Sequence, residues 1–209
     1  MRKNKHKKLV QGVGHNDYPG RTHIKVDGKQ IVEKFYKVWL GMMMRCYNKG
    51  THNNQPQYVG CAVCEDWKSL SKFKEWFDEH YVDGWALDKD LLNKHNKVYG
   101  PETCVFLPTD INTFLVERNS KRGGMIGVTK HVLNPTSYNT STNRIRYNPT
   151  CYIGKCKTYE TELEAHMRWK NDKHAMALAH IEKYPMLSER AKDALRTRYA
   201  GDGIYDPLT

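Results

Sequence analysis

The most informative segment of the chain is residues 85–112, which read WALDKDLLNKHNKVYGPETCVFLPTDIN. Its apolar residues predict one strand over residues 85–92 and a second over residues 104–107, separated by a polar turn and ended by Pro108. Residues 109–115 begin with two good helix-capping residues and continue at helical spacing, which predicts a helix. The segment therefore predicts the order strand, loop, strand and helix.

Polar side chains in this segment could converge on a metal ion. Asp88 and Asp90 alternate along the first predicted strand, so they should share one face, and Asn112 lies in the first turn of the predicted helix. Carboxylate and amide oxygens suit Mg²⁺, which stabilises the leaving oxygen of a phosphodiester. Taken alone, an Asp-Lys-Asp strand end is more often an exposed turn, and Asn112 could equally make backbone hydrogen bonds at a helix start.

Charge is distributed unevenly along the 209 residues, whose formal net charge is +11. Residues 1–60 carry 12 basic and 3 acidic side chains, residues 61–120 carry 7 and 11, and residues 121–209 carry 15 and 9. Basic regions suit contact with nucleic acid, and an acidic centre suits a bound cation. Solvated helix faces that differ in sign would explain the basic flanks equally well. The length allows one large or two small domains.

Membrane and secretory proteins are disfavoured by the sequence. No apolar run approaches the roughly 20 residues that a membrane span requires. The basic residues 1–8 are not followed by a hydrophobic region or a cleavage site, so they predict a flexible arm. We therefore expect a cytoplasmic protein that does not contact a membrane.

Other helices and strands are predicted from apolar spacing and from turn residues. The helices are residues 32–47, a helix capped by Ser69 or Ser71 that ends near residue 81, a long helix opened by the capping box of Thr161 and Glu164, and a last helix from Ser188. A hairpin turn is expected at Asp27-Gly28, and a polar loop at residues 48–56. Short strands are expected at residues 125–129, 144–147 and 151–153.

Four ordered motifs occur within residues 35–118, together with Phe73 and Trp76. They are WLGMMMRCYN at residues 39–48, VCEDW at residues 63–67, LDKD at residues 87–90 and YGPETC at residues 99–104. This series resembles bacteriophage HNH-type homing endonucleases, which are DNA-cutting enzymes with a ββα-metal core. The resemblance implies a site-specific DNA endonuclease that uses a divalent cation such as Mg²⁺.

The resemblance also implies roles for individual residues. Asp88 stands where such enzymes bind the metal at the end of the first strand, and Asn112 stands where a helix residue completes the metal site. The histidine that activates water is replaced by Lys89, and the asparagine that positions this histidine is replaced by Thr103. Lys89 could contact phosphate or, with a depressed pKa, accept a proton, and Asp90 is a second candidate base.

The C-terminal part carries a second set of motifs. They are MIGVT at residues 125–129, GK at residues 154–155 and TYETELEAH at residues 158–166, interrupted by a polar insertion over residues 134–143. These motifs are similar to the plant APETALA/ethylene-response DNA-binding fold, a three-stranded sheet packed on one helix. The similarity implies contact with double-stranded DNA through Arg122, Lys130, Arg144, Arg146, Lys155 and Lys157. These side chains could read base edges or bind only phosphates.

Four of the six cysteines lie in the nuclease-like part of the chain, at Cys46, Cys61, Cys64 and Cys104. Cys61 and Cys64 have the spacing of a zinc-binding pair. The resemblance falls on Cys46, Cys64 and Cys104, which could hold a structural zinc ion with Cys61 or His52 as the fourth ligand. No second pair follows at zinc-finger spacing. We therefore favour buried thiols in a hydrophobic core over zinc.

The sequence as a whole predicts an α+β protein with an HNH-like ββα-metal core, flanking helices, and a small three-stranded sheet packed on a helix. The expected domains are an N-terminal basic arm over residues 1–30, a nuclease domain over residues 31–120, an APETALA-like domain over residues 122–185, and a helix with a tail over residues 186–209. The alternatives are a DNA-binding phage protein with an inactive nuclease core and, less suited to the acidic centre, a structural nucleoprotein component.

Overall fold

The computed structural model describes residues 9–117, 124–133, 144–151, 153–155 and 157–200. Helices and small sheets alternate along these residues, which confirms the α+β class. The chain divides between Asn112 and Thr113 into two compact parts, called here the first and second units. Within the described ranges, no helix is both long and apolar enough to cross a membrane.

The first unit begins with a β-hairpin. Strands β1 (His23–Val26) and β2 (Lys29–Val32) pair antiparallel, and Asp27 and Gly28 between them have positive φ angles of 49° and 77°. A two-residue turn with both φ angles positive matches the twist of the strands, and Asp-Gly is a favoured pair for it. The predicted hairpin is confirmed. Val32, predicted on the apolar face of the first helix, is instead an exposed strand residue.

Helix α1 (Lys34–Tyr47) supplies much of the core of the first unit. Its buried side chains recur at three- and four-residue spacing, and they are Phe35, Trp39, Met42, Met43 and Cys46. Residues 48–56, predicted as a loop, instead contain helix α2 (Lys49–Asn54), which a 3₁₀ turn follows. The Asn48 side chain accepts a hydrogen bond from the Thr51 amide at 3.0 Å, which caps the new helix.

The next segment closes the core with a short strand and two helices. Strand β3 (Ala62–Val63) is followed by α3 (Glu65–Lys68) and α4 (Leu70–His80). Ser69, one of the two predicted caps, accepts a hydrogen bond from the Lys72 amide and so begins α4. Trp39 Nε1 donates to the backbone oxygen of Trp67 at 2.7 Å, which gives the buried indole its polar partner.

The segment of residues 85–112 forms three strands and a short helix. Strand β4 (Ala86–Asp88) pairs antiparallel with β6 (Val105–Leu107), with Asp88 opposite Val105, while β5 (Val98–Tyr99) pairs parallel with β3. Helix α5 (Thr109–Phe114) follows β6. The two predicted strands and the helix are present, but β5 between them was not predicted, and β4 ends at Asp88 and does not continue to residue 92.

The second unit packs a hairpin against helices. Strands β7 (Val128–Leu133) and β8 (Arg144–Pro149) pair antiparallel, followed by α6 (Glu162–Lys183) and α7 (Glu189–Arg198). The predicted capping box at the start of α6 and the Ser188 cap of α7 are both present. The prediction of a third strand at residues 151–153 is wrong, since the described residues there form a bend. A single bridge between Tyr147 and Tyr159 lies beside β8 instead.

A tryptophan and a buried lysine organise the core of the second unit. Gly127 has a φ of +80°, and a Cβ at this position would lie 2.2 Å from the Trp169 ring. Lys173 is 5% exposed, and its ammonium lies 3.8 Å from the centre of the Phe114 ring and 5.3 Å from that of Tyr199. Burial lowers the pKa of Lys173.

Candidate active site

The carboxylate of Asp88 lies where strand β4 ends. Its Oδ1 atom accepts hydrogen bonds from the backbone amides of Asp90 at 2.9 Å and Leu91 at 2.7 Å. Because these amides donate to a side chain and not to a neighbouring strand, the pairing of β4 with β6 ends at Asp88. The same two bonds fix the orientation of the carboxylate. Because β4 ends here, Asp90 lies in the following turn, and the expected shared strand face of Asp88 and Asp90 is not formed.

Lys89 turns inward from this turn. It is 6% exposed, and its ammonium donates to Asp90 Oδ1 at 2.5 Å and to the backbone oxygen of Asn96 at 2.8 Å. The Asp90 side chain is 49% exposed. The carboxylate of Asp90 therefore faces solvent on one side and the buried ammonium on the other.

Asn96, which was not among the predicted site residues, holds the loop that joins β4 to β5. Its Nδ2 donates to the backbone oxygens of Lys89 at 3.0 Å and Val98 at 2.6 Å, and its Oδ1 accepts from the Val98 amide at 3.1 Å. Thr103, by contrast, donates to the backbone oxygens of Val98 and Gly100. The backbone of Lys89 is thus positioned by Asn96.

Asn112 lies in α5, where its amide donates to the backbone oxygen of Pro108 at 3.1 Å. Its side-chain oxygen Oδ1 is buried and accepts no hydrogen bond from any residue that the structure describes. Such an atom normally has a partner, because an unmade hydrogen bond in a protein interior costs about 1–3 kcal/mol. A donor or a cation would supply the partner that the oxygen of Asn112 lacks among the described residues.

The four cysteines considered as zinc ligands lie in or against the hydrophobic core of the first unit. Cys46, Cys61 and Cys104 are buried, and Cys64 is partly buried. Burial raises the pKa of Cys46 and Cys104 to about 12, and the nearby Asp88 carboxylate adds to the effect at Cys104. Among the described residues, no three histidine, cysteine or acidic side chains form a group that could hold a metal ion.

The predicted DNA-binding residues are distributed over the second unit. Lys130 is exposed on β7, opposite Tyr147 of β8, and Lys155 and Lys157 are exposed after β8. Arg146 donates to Glu160 Oε1 at 2.9 Å, and its side chain is 24% exposed.

The remaining predicted DNA contacts lie partly or wholly outside the described residues. Arg144 begins β8 opposite Leu133, but its side chain lies outside the described part of the chain. Arg122 and the basic residues 1–8 lie outside it entirely.

Comparison with known proteins gave no family model, no curated protein and no solved structure that matches this chain.

Proposed function

We propose that the chain is a metal-dependent DNA endonuclease with an HNH-like ββα core, and that Asp88 and Asn112 hold its divalent cation. The carrying observation is the buried Oδ1 of Asn112, which no described residue satisfies, on the helix that follows the β4–β6 pair. A hard cation would remove the cost of that open oxygen. Mg²⁺ suits a carboxylate and an amide oxygen, and it keeps several water ligands.

Each side chain of the turn has a separate part in this proposal. Mg²⁺, when bound, would stabilise the leaving oxygen of the cleaved phosphodiester and orient the phosphate. Asp88 contributes a carboxylate that two backbone amides already orient. Lys89 holds Asp90 and does not itself reach substrate, because its ammonium is buried and donates to two oxygens. Asp90, half-exposed, then accepts the proton of the attacking water.

The proposed substrate is double-stranded DNA, with the second unit as one of its binding parts. The exposed lysines Lys130, Lys155 and Lys157 would pair with backbone phosphates, which positions the duplex without reading its sequence. The strand arginines Arg144 and Arg146 are the residues that could reach base edges. Replacing both with alanine should weaken duplex binding and flatten its salt dependence. Unchanged affinity and slope would remove these arginines from the proposal.

A second function is favoured by the burial of Lys89. In the HNH-type homing endonucleases that the sequence resembles, a histidine activates water at this position. The Lys89 ammonium is instead buried in the protein interior. The chain would then be a DNA-binding protein with an inactive nuclease core.

Plasmid cleavage separates these two functions. Supercoiled DNA is incubated with native protein, Asp88→Ala or Asn112→Ala, with and without Mg²⁺ or Mn²⁺. Loss of a metal ligand should slow nicking at least about 100-fold, since a catalytic cation supplies several kcal/mol. Asp78→Ala is the matched control, because Asp78 is an exposed carboxylate of α4 paired with Lys74. Its cleavage rate should equal that of native protein.

Binding measurements complete the test. Calorimetric titration with Mg²⁺ should give a signal for native protein and Asp78→Ala, and a much weaker one for Asn112→Ala. If native protein binds duplex DNA but leaves it intact in both cations, the enzyme is ruled out and the inactive-core function stands.

A further inference from the structure

The β1–β2 hairpin is exposed along its whole length. Every residue of both strands is exposed, including four large apolar side chains that are 37–44% exposed, namely Ile24, Val26, Ile31 and Val32. A two-stranded hairpin is marginally stable in water without further packing. An exposed apolar face on such an element is typical of a contact surface.

The register sorts these side chains onto two faces. Ile24 lies opposite Ile31, and Val26 lies opposite Lys29, so one face of the hairpin is mainly apolar. On the other face Lys25 lies opposite Gln30. Lys29 therefore lies at the turn end of the mainly apolar face, and Val32, opposite His23, lies at the base of the mainly polar face.

The charge of the hairpin is complementary to an anionic partner. Residues 21–32 contain three basic side chains, Arg21, Lys25 and Lys29, against the single carboxylate of Asp27, and all four residues are exposed. Lys25 and Lys29 lie near the turn, on either side of Asp27 and Gly28.

The base of the hairpin is tied to the segment that leads to the candidate metal site. The Glu33 amide donates to the backbone oxygen of Thr22 at 2.9 Å, which closes the base. Lys34, the next residue, forms an ion pair with Asp83, which lies shortly before β4 in the chain. The residue that follows the base of the hairpin is therefore held to the segment that precedes β4.

From these observations we infer that the β1–β2 hairpin is a duplex-DNA contact of the first unit, which enters a groove of the duplex. This inference rests on the proposed function. Four-residue strands are about 13 Å long, and the major groove, about 12 Å wide and 8.5 Å deep, accepts a two-stranded ribbon. Lys25 and Lys29 pair with phosphates, and the isoleucine face meets apolar base edges such as thymine methyl groups.

The test uses the full chain and a short, fluorescently labelled duplex of random sequence, titrated between about 50 and 200 mM salt. Lys25→Gln with Lys29→Gln is compared with Lys72→Gln with Lys192→Gln. The control pair removes the same total charge, and both its lysines already form ion pairs with carboxylates, Asp66 and Glu189.

Losing two phosphate contacts should reduce the slope of log affinity against log salt by about 1.8, because each contact contributes about 0.9. With affinity at about 1 M salt unchanged, this corresponds to about 60-fold weaker binding at about 0.1 M salt. The control pair should retain the native slope. Ile24→Ser with Ile31→Ser should weaken binding at every salt concentration and leave the slope as it is.

Three outcomes are distinguishable. If native protein binds no duplex, the proposed function falls and this inference falls with it. If native protein binds duplex and the hairpin lysine variant matches its control, only the inference is overturned. Vesicles of equal parts phosphatidylcholine and phosphatidylserine test the rival partner. Binding to vesicles that the lysine variant loses, with duplex affinity unchanged, would assign the hairpin to a membrane surface and overturn the inference.

Discussion

Replacing Asn96 with alanine should destabilise the loop between β4 and β5 by about 2 kcal/mol. The substitution removes three side-chain hydrogen bonds, two to the backbone of Val98 and one to that of Lys89. Each is worth about 0.5–1.5 kcal/mol net, and water replaces part of this at a half-buried residue. Lys89 keeps its own bond to the Asn96 backbone oxygen, so the ion pair with Asp90 remains.

Amide hydrogen exchange measures this effect locally, which matters because the two units need not unfold together. The peptide that contains Lys89 and Val98 should exchange about 30-fold faster in Asn96→Ala, since about 1.4 kcal/mol corresponds to tenfold. Asn93→Ala is the control, because it makes the same chemical change at an exposed residue of the same loop. Equal exchange rates in the two variants would refute the view that the Asn96 side chain holds the loop.

Three further predictions concern the second unit. Gly127→Ala should lower the free energy of thermal unfolding by about 3 kcal/mol, because the added Cβ would lie 2.2 Å from the Trp169 ring. Gly154→Ala is the control: Gly154 has a φ of +76° and open space around it, so the substitution should cost only about 1 kcal/mol of backbone strain. Because burial lowers the pKa of Lys173, this side chain binds more protons in the unfolded protein than in the native protein. The stability of the native protein should therefore rise relative to that of Lys173→Met as pH increases towards 10.5. A pH-independent difference between the two in urea unfolding would contradict this. Thr161→Ala removes the capping box of α6 and should lower unfolding free energy by about 1 kcal/mol, measured by circular dichroism, with no loss if the cap is unimportant.

Much of the fold was predictable because periodicity and capping act locally. The apolar spacing of α1, the Ser69 cap of α4 and the capping box of α6 all agree with the structure. The prediction of a loop after α1 was wrong, since the Asn48 side chain caps a helix within this polar segment. The third strand of the second unit was misplaced, because a bridge partner distant in sequence cannot be read from local alternation.

The candidate site was less predictable than the fold. The positions of Asp88 and Asn112 in a strand–helix arrangement followed from the sequence, but the inward turn of Lys89 did not. That orientation depends on Asp90 and on a backbone oxygen seven residues away in the chain. Asn96 was not predicted, because asparagine is common in polar loops. Its position just before β5 is the signal that could have found it, since such asparagines often bond the neighbouring backbone.

The ion pair between Arg146 and Glu160 has a consequence for how the second unit responds to salt. The arginine already has an anion beside it, on a glutamate whose side chain is 80% exposed and free to swing away. A phosphate that arrives there exchanges one anion for another, and the displaced carboxylate must recruit a cation from solution. Arg146 should therefore contribute less than a full contact to the slope of log affinity against log salt for any anionic ligand. Glu160→Gln should restore the missing part of that slope.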